Sequence, residues 1–88
     1  MKIRFQKSFE KRYSKLTSKL KNKVDEVIHL FRVNPFDPIL ENHFLKGAMQ
    51  GKRAISVTGN IRIIFEEYEN YTLVLMLDVG THPQVYGL

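Results

Sequence analysis

Cysteine is absent from this chain of 88 residues. A disulfide, a thiolate metal site and a cysteine nucleophile are therefore all excluded. Long apolar runs are missing as well, because the longest, around residues 73–77, is far too short to cross a bilayer. The basic N-terminus is not followed by the apolar segment that a secretory signal needs. We therefore expect a cytoplasmic protein that makes no contact with a membrane.

Length and composition predict one domain that spans residues 1–88. Chains divide into several domains only when a single core can grow no further, and this chain is far below that size. Hydrophobic residues make up 43% of the chain and charged residues 26%, which are ordinary values for a folded domain. A domain so small buries only about 60% of the surface that its unfolded chain exposes, so we expect marginal stability.

Positive charge is concentrated in two segments of the sequence, and the net charge is +5. Residues 1–23 carry nine Lys or Arg and one acid, and residues 46–62 carry four cations and no acid. This distribution predicts a polarised surface that attracts a polyanion, with nucleic acid as the first candidate and an acidic protein as the second. For residues 1–23, a solvated helix face explains the lysines equally well.

The first half of the chain has the pattern of a strand followed by two helices. Apolar and polar residues alternate over residues 2–6, which predicts a short half-buried strand. Ser8 can cap a first helix, and Thr17 or Ser18 can cap a second. The second helix ends before Pro35, because the residue that precedes proline avoids the helical region. Apolar residues recur at helical spacing in both: Phe9, Tyr13, Leu16 and Leu20, then Val24, Val27, Ile28 and Phe31.

The second half predicts a loop and three strands. Residues 35–51 contain prolines and glycines and show no sustained period. Strand candidates follow at residues 53–57, 61–66 and 72–79. The resulting order, β-α-α-β-β-β, predicts an α+β fold in which the two N-terminal helices pack on one face of an antiparallel sheet.

The turn at residues 58–60 determines which side chains share a face of the sheet. A three-residue turn places Ile55 opposite Ile63, and both are apolar. It places Ser56 beside Arg62 on the other face, which the helices leave open. Continued alternation divides the last strand in the same way: Leu73, Leu75, Leu77 and Val79 are expected under the helices, and Val74, Met76 and Asp78 on the open face.

Several residues suit the chemistry of phosphodiester cleavage. RNA is cleaved when its 2′-hydroxyl attacks the adjacent phosphorus, and an enzyme must supply a base, an acid and a cation for the phosphoryl oxygens. Histidine titrates in the range that either proton transfer needs, and arginine matches a phosphate with two hydrogen bonds. The chain offers such a set without a metal or cofactor: His43, His82, Tyr86 and Arg62, with the cations Lys46, Lys52 and Arg53 nearby in sequence.

Arg62 is the least expected of these residues, because it lies in an otherwise apolar strand. Such a charge must face solvent, a ligand or an ion-pair partner, for which Asp78 is the candidate. Other catalytic patterns are missing, since the sequence has no nucleophile elbow, P-loop or dinucleotide fingerprint. Glu66, Glu67 and Glu69 cluster at a predicted turn, where a solvated surface explains them.

Four short motifs together resemble the RelE/ParE superfamily of toxins, and in particular its YafQ-like branch. They are NHFLKG at 42–47, RAIS at 53–56, NIRIIF at 60–65 and GTHPQVYG at 80–87. The first and the last are similar to the H-x-L-x-G loop and the G-[TS]-H-x-x-[VL]-[YF]-G end of that branch. The resemblance extends over nearly the whole chain and implies the same strand–helix–helix–strands plan.

The resemblance implies the toxin of a type II toxin–antitoxin system, a ribosome-dependent endoribonuclease that cleaves mRNA in the ribosomal A site. It implies a catalytic set of His43, Arg62, His82 and Tyr86, and an RNA-binding set of Lys46, Lys52, Arg53 and Ser56. The implied partners are the ribosome, mRNA and a cognate antitoxin whose acidic, amphipathic C-terminal segment covers the basic face. Through the antitoxin, the complex would also bind operator DNA.

Two positions depart from the YafQ-like pattern. Ser56 occupies a position that is often histidine in that branch, and Asn60 one that is often aspartate. Serine can hydrogen-bond a phosphate but cannot exchange protons near neutral pH. These departures favour an alternative, a catalytically weak or inactive module of the same fold that binds RNA, the ribosome or an antitoxin. A third alternative is a ParE-like toxin that acts on gyrase. The presence of two histidines in the pattern argues against it.

Overall fold

The computed structural model describes residues 1–87, so Leu88, the last residue of the predicted domain, lies outside the described residues. The elements in chain order are β1 (Lys2–Phe5), α1 (Lys7–Ser14), α2 (Ser18–Val33), β2 (His43–Phe44), β3 (Arg53–Ser56), β4 (Ile61–Tyr68), β5 (Leu73–Thr81) and α3 (His82–Tyr86). Single 3-10 turns lie at Pro38–Leu40 and Gly47–Met49. The strands form one sheet in the order β1-β5-β4-β3-β2. These elements confirm the predicted α+β fold.

The two N-terminal helices begin differently. At α2 the Thr17 hydroxyl accepts a hydrogen bond from the Leu20 N–H at 3.2 Å, which confirms the predicted cap. The predicted cap of α1 is wrong, because the helix already begins at Lys7 and Ser8 lies inside its first turn. There the Ser8 hydroxyl donates to the Leu77 carbonyl and ties α1 to the sheet. Among residues 1–87 no helix has the length and apolar content that spanning a bilayer requires.

The pairing around β4 confirms the predicted register. Strand β4 pairs antiparallel with both β3 and β5. Ile55 lies opposite Ile63, and Ser56 lies opposite Arg62. The short strand β2, which the sequence did not predict, pairs antiparallel with β3. Strand β1 corrects the prediction of a wholly antiparallel sheet, because it runs parallel to β5. Alternation shows which face of the sheet a residue occupies but not which strand lies beside its own, so the direction of this pairing could not be predicted.

A bulge in β5 reverses part of the predicted face assignment. Between Ile64 and Phe65 of β4, the pairing skips one residue of β5, Leu77. The extra residue shifts the alternation by one, so the prediction is right for Val79 after the bulge and wrong before it. The exchanged side chains are Val74 and Met76, which lie in the helix-covered core, and Leu75 and Leu77, which lie on the opposite face; Leu73 is exposed.

Two hydrophobic clusters lie on opposite faces of the sheet. The larger lies under α1 and α2, and its completely buried members include Phe31, Ile55, Ile63 and Phe65. The smaller consists of Ala54, Ile64, Leu77 and Val85. Because Val85 belongs to α3, this helix covers part of the face that was predicted to be open. We call that side of the sheet the α3 face and the other side the α1–α2 face.

Shortening Ile63 to valine is expected to lower the free energy of unfolding by about 0.5–1.5 kcal/mol. Ile63 is fully buried in the larger cluster, so the lost methyl group leaves a small cavity. Ile39→Val is the matched control, because Ile39 is 69% exposed and its change should stay within about 0.5 kcal/mol. Urea unfolding followed by circular dichroism measures both, and equal effects would contradict this position of the core.

Candidate active site

Three of the predicted site residues share the α3 face. His43 of β2 lies opposite Ala54, and Ser56 of β3 lies opposite Arg62 of β4. Paired residues, and residues two apart on one strand, point to the same side of a sheet. Since Ala54 belongs to the cluster under α3, the side chains of His43, Ser56 and Arg62 all lie on that face. From the strand spacings, the Cα atoms of His43 and Arg62 are about 12 Å apart.

Helix α3 brings His82 and Tyr86 to the same face. Thr81 caps the helix: its hydroxyl accepts from the Gln84 N–H at 3.4 Å, and its own N–H donates to Gln84 Oε1 at 2.9 Å. Val85 anchors the helix in the cluster beneath it. His82 and Tyr86 are four residues apart and thus lie on one side of the helix, with ring centroids 4.2 Å apart.

Gly80 allows α3 to begin next to the Arg62 position. It lies opposite Arg62 in the β4–β5 pair, two residues before His82. A Cβ atom on residue 80 would come within 2.5 Å of Gln84 Oε1. A larger residue would therefore have to displace the Gln84 side chain, which closes the cap of α3. The small residue keeps the start of the helix, and with it His82, close to the arginine.

The charge of the Arg62 guanidinium is not neutralised by any carboxylate within residues 1–87. Its Nη1 donates to the backbone carbonyls of Thr58 at 2.7 Å and Ile61 at 3.2 Å. Asp78, the ion-pair partner considered from the sequence, instead places Oδ1 3.0 Å from Nε of Arg12 in α1. That alternative is therefore wrong. Arg62 is held at one nitrogen by carbonyls while its charge stays available to an anion.

The Tyr86 side chain is half-buried beside Arg62. Burial raises the pKa of its hydroxyl, the positive charge of Arg62 acts in the opposite direction, and the net pKa lies above the ordinary value. The phenol therefore keeps its proton at neutral pH and can donate a hydrogen bond. The guanidinium of Arg62 is the charged group that lowers this pKa, which is consistent with the position of both side chains on the α3 face.

A hydrogen bond at His43 determines which ring nitrogen is free. Nδ1 lies 2.7 Å from the backbone carbonyl oxygen of Glu41. A carbonyl can only accept, so Nδ1 carries the hydrogen, and Nε2 is the atom that can gain or lose a proton. The ring itself is exposed to solvent. His43 is thus oriented by its own turn and presents Nε2 outward.

The carbonyl of Thr58 links two residues of the site, a role that sequence reasoning missed. It accepts hydrogen bonds from the Ser56 hydroxyl at 3.2 Å and from Arg62. The Thr58 hydroxyl also accepts from the backbone N–H groups of Asn60 and Ile61 and so holds the turn. The Thr-Gly-Asn sequence signals this turn, but nothing in it shows where the carbonyl points.

The two predicted lysines occupy different places. Lys52 directly precedes β3 and lines a depression on the α3 face together with Ile64 and Val85. Lys46 is exposed at the start of the Gly47–Met49 turn, in the loop that follows the edge strand β2. Lys52 therefore belongs to the α3 face, and Lys46 lies at its margin.

Arg53 is the predicted RNA-binding residue that the structure does not bring to the α3 face. It lies opposite Phe65, a member of the cluster under α1 and α2. Its Nε donates to Asn42 Oδ1 at 2.8 Å, and its guanidinium carbon lies 3.9 Å from the centroid of the Phe44 ring. The alternation that puts Ser56 on one face puts Arg53, three residues earlier, on the other. Arg53 therefore lies apart from the candidate site residues that share the α3 face.

The α3 face supplies three kinds of chemical group. Arg62 offers a positive charge, and Tyr86 offers a neutral hydrogen-bond donor. His43 and His82 offer imidazoles. Groups of these kinds can bind a phosphodiester and exchange protons with it. In the part of the chain that the structure describes, no three His, Asp or Glu side chains gather closely enough to hold a metal ion.

Several solved structures share the fold of this chain. YafQ from E. coli strain BL21(DE3) is 23% identical with a TM-score of 0.79, and the match covers 97% of this chain and 97% of that one. A YoeB/ParE toxin from Agrobacterium tumefaciens is 19% identical with a TM-score of 0.77, covering 93% and 99%. YafQ in the E. coli DinJ–YafQ toxin–antitoxin complex is 23% identical with a TM-score of 0.76, and the match covers 97% of this chain and 96% of that one. At these identities the likeness establishes the fold alone.

The family follows from a match at the level of sequence. The sequence model of the YafQ family, described as the bacterial toxin of a type II toxin–antitoxin system, matches residues 1–87. The chain therefore belongs to the YafQ family of type II toxin–antitoxin toxins, which confirms the resemblance seen in its motifs. No curated protein sequence matches the chain.

Proposed function

We propose that this toxin is an endoribonuclease that cleaves mRNA in the ribosomal A site without a metal ion. The observation that carries the proposal is the arrangement of the α3 face. There the charge of Arg62 is not neutralised within the described residues, Tyr86 lies beside it, and His43 shares the face. These are the kinds of group that attack by the 2′-hydroxyl requires.

In the proposed reaction, the 2′-hydroxyl of one nucleotide attacks the phosphorus that follows it. One histidine takes the proton from the 2′-oxygen as the bond from that oxygen to phosphorus forms. The other histidine gives a proton to the 5′-oxygen as the bond from phosphorus to that oxygen breaks. The products are a 2′,3′-cyclic phosphate and a free 5′-hydroxyl. His43 and His82 are the two histidines, and His43 acts through Nε2 because Nδ1 is bonded to Glu41.

The remaining groups bind rather than transfer protons. Arg62 stabilises the negative charge that develops on the non-bridging oxygens. Tyr86, with its phenol protonated, positions the phosphate or stacks on a base. Ser56, whose proton is donated to Thr58, can accept a hydrogen bond from a hydroxyl of the RNA, and Lys46 and Lys52 attract the RNA backbone.

Dependence on the ribosome follows from the openness of the site. The Cα atoms of His43 and Arg62 are about 12 Å apart on an exposed sheet face, so free RNA would seldom adopt the in-line geometry between them. A ribosome that holds mRNA fixed supplies this alignment. Expression in translating and in ribosome-free extracts, with mapping of the mRNA ends, tests the idea. We expect cleavage only where ribosomes are present, and equal cleavage in both extracts would contradict it.

We further propose that a cognate antitoxin neutralises the toxin with an acidic, amphipathic C-terminal segment, and that the pair binds operator DNA through the antitoxin. The net charge of +5 supports an acidic partner. Among the solved structures of the same fold, the E. coli DinJ–YafQ and Mycobacterium tuberculosis RelBE2 structures are toxin–antitoxin complexes. Co-purification with the product of the neighbouring reading frame tests this partner, and failure to bind would contradict it.

Ser56 favours a second candidate function, a catalytically weak or inactive module that binds RNA, the ribosome or the antitoxin. Its hydroxyl donates to the Thr58 carbonyl and cannot serve as an acid or base near neutral pH. Growth inhibition separates the two functions. If the wild type and His82→Ala inhibit growth equally, inhibition does not depend on catalysis.

Replacing Ser56 with alanine is expected to lower the cleavage rate by no more than about tenfold, because one hydrogen bond contributes about 0.5–1.5 kcal/mol. The lost bond is the one that Ser56 donates to Thr58 beside Arg62. Ser14→Ala is the matched control, since the Ser14 hydroxyl also donates to a backbone carbonyl, that of Lys11 at 2.7 Å, but in α1. Cleavage in a translating extract measures both, and a loss as large as that expected for Arg62→Ala would make Ser56 a catalytic group.

A further inference from the structure

An exposed aromatic patch lies at the free edge of the sheet and consists of Phe44 of β2 and Phe36 of the segment that follows α2. Phe44 is 70% exposed and Phe36 is 57% exposed. Both rings lie near the Arg53 guanidinium, whose carbon is 3.9 Å from the Phe44 centroid and 5.8 Å from that of Phe36. Single exposed apolar residues need no explanation. Two rings gathered around one guanidinium, however, form an organised surface.

Hydrogen bonds hold the Arg53 side chain in place beneath Phe44. Arg53 Nε donates to Asn42 Oδ1 at 2.8 Å. The Asn42 amide in turn donates to the Pro35 carbonyl at 2.9 Å and to the Tyr71 hydroxyl at 3.1 Å. The guanidinium therefore has a defined position, and it supports the ring that stacks on it. A ring that is already ordered loses little entropy when it binds a ligand.

A depression of about 520 Å³ lies beside Phe44. Phe44 and Lys46 line it together with Gly47, Gln50 and Gly51, whereas Arg53 does not. A Cβ atom on either glycine would meet no other atom within 4 Å, so this wall is open. The phenyl ring thus contacts the guanidinium and also lines an open depression, whose wall includes a lysine.

We infer that Phe44 is a stacking platform for one unpaired base of the RNA, next to the phosphate held on the α3 face. This inference rests on the RNA binding proposed above. His43 and Phe44 are consecutive on an edge strand, with Cα atoms about 3.8 Å apart and side chains on opposite faces. An RNA strand that crosses this edge can place a phosphate toward His43 and the neighbouring base on Phe44.

Charge and shape favour RNA over a peptide as the occupant. Residues 46–62 carry four cations and no acid, which suits a polyanion. An acidic peptide would satisfy that charge, but the flat ring beside an open depression matches the face of a base. Stacking of bases on aromatic side chains is a common mode of binding single-stranded RNA.

Substitutions at Phe44 separate stacking from simple apolar contact. Phe44→Ala is expected to weaken the binding of single-stranded RNA by about 10- to 100-fold. Phe44→Leu should weaken it similarly, because leucine keeps the apolar volume but has no flat face, and Phe44→Tyr should retain the affinity. Binding that survives Phe44→Leu unchanged would overturn the inference. The side chain is largely exposed, so these variants should fold.

Fluorescence gives a direct test, because the chain contains no tryptophan. Phe44→Trp introduces a single probe at the platform, and Val33→Trp introduces one at a position that is 73% exposed at the end of α2. The ligand is a short 2′-O-methyl oligoribonucleotide, which lacks the attacking hydroxyl and cannot be cleaved. We expect it to quench the probe at position 44 and not the probe at position 33. An abasic oligomer should bind without quenching.

Three results would overturn the inference: no quenching at position 44 when the oligomer is bound, equal quenching at both positions, or quenching by the abasic oligomer. A Phe44→Ala variant with unchanged RNA affinity but no binding of the antitoxin would also do so, and would assign the patch to a protein. The proposed function fails separately. Quenching at position 44 without cleavage in a translating extract supports the platform while removing the endonuclease.

Discussion

Replacing Arg62 with alanine is expected to lower the rate of mRNA cleavage about 100- to 1,000-fold, the loss typical when one donor to a developing oxyanion is removed. The guanidinium has no carboxylate partner among residues 1–87, and its charge acts on Tyr86 beside it. A phosphate that gains negative charge in the transition state would find this cation already in place. Cleavage of mRNA in a translating extract measures the rate.

Two control variants show whether geometry or mere charge is lost. Arg62→Lys keeps the charge but not the planar pair of donors, so we expect it to recover only part of the rate. Arg32→Ala removes the same charge from an exposed position on α2 and should leave the rate nearly unchanged. Circular dichroism must show that Arg62→Ala still folds, since its Nη1 bonds hold the turn. Equal losses in the Arg62→Ala and Arg32→Ala variants would mean that only overall charge matters.

The shared face of Ser56 and Arg62 could be predicted from the sequence because the central strands alternate clearly. With a three-residue turn at 58–60, only one register keeps Ile55 and Ile63 together, and this register also pairs Ser56 with Arg62. The pairing of β3 with β4 is therefore set by the burial of one face, and the alternation of apolar and polar residues shows that face in the sequence. The α+β order of elements was predictable for the same reason.

The faces of β5 were not predictable, because residues 73–77 are all apolar. A continuous apolar run has no period of two, so it does not show which residues face the helices. The bulge at Leu77 then shifts the alternation between Met76 and Val79. Asp78, which lies opposite Ile64, forms its ion pair with Arg12 of α1 rather than with Arg62.

The edge strand β2 was missed because its two residues lie in a segment rich in turn signals. Its pairing with β3 is set by the tertiary structure and not by local pattern. The face of Arg53 was predictable, since it is three residues before Ser56 on one strand. Its contact with Phe44 was not, because that contact requires β2 to lie alongside β3.

Replacing His82 with alanine is expected to lower the cleavage rate about 100- to 10,000-fold, the range for a lost general acid or base. The residue is exposed, and its ring contacts that of Tyr86, so its removal should not unfold the domain. His29→Ala is the matched control, because His29 is an exposed histidine of α2 away from the site. An equal loss for His29→Ala, or none for His82→Ala, would contradict a catalytic role for His82.

The pH dependence of the same variants assigns the two proton transfers. An acid and a base that act in one step give a bell-shaped profile of rate against pH, and removing one leaves a single limb. If His82 is the acid, His82→Ala loses the fall at high pH and His43→Ala loses the rise from low pH; the opposite assignment exchanges the limbs. Tyr86 adds no limb near neutrality, because its raised pKa keeps the phenol protonated there. Since both histidines serve one transition state, the double variant should lose much less than the product of the single losses.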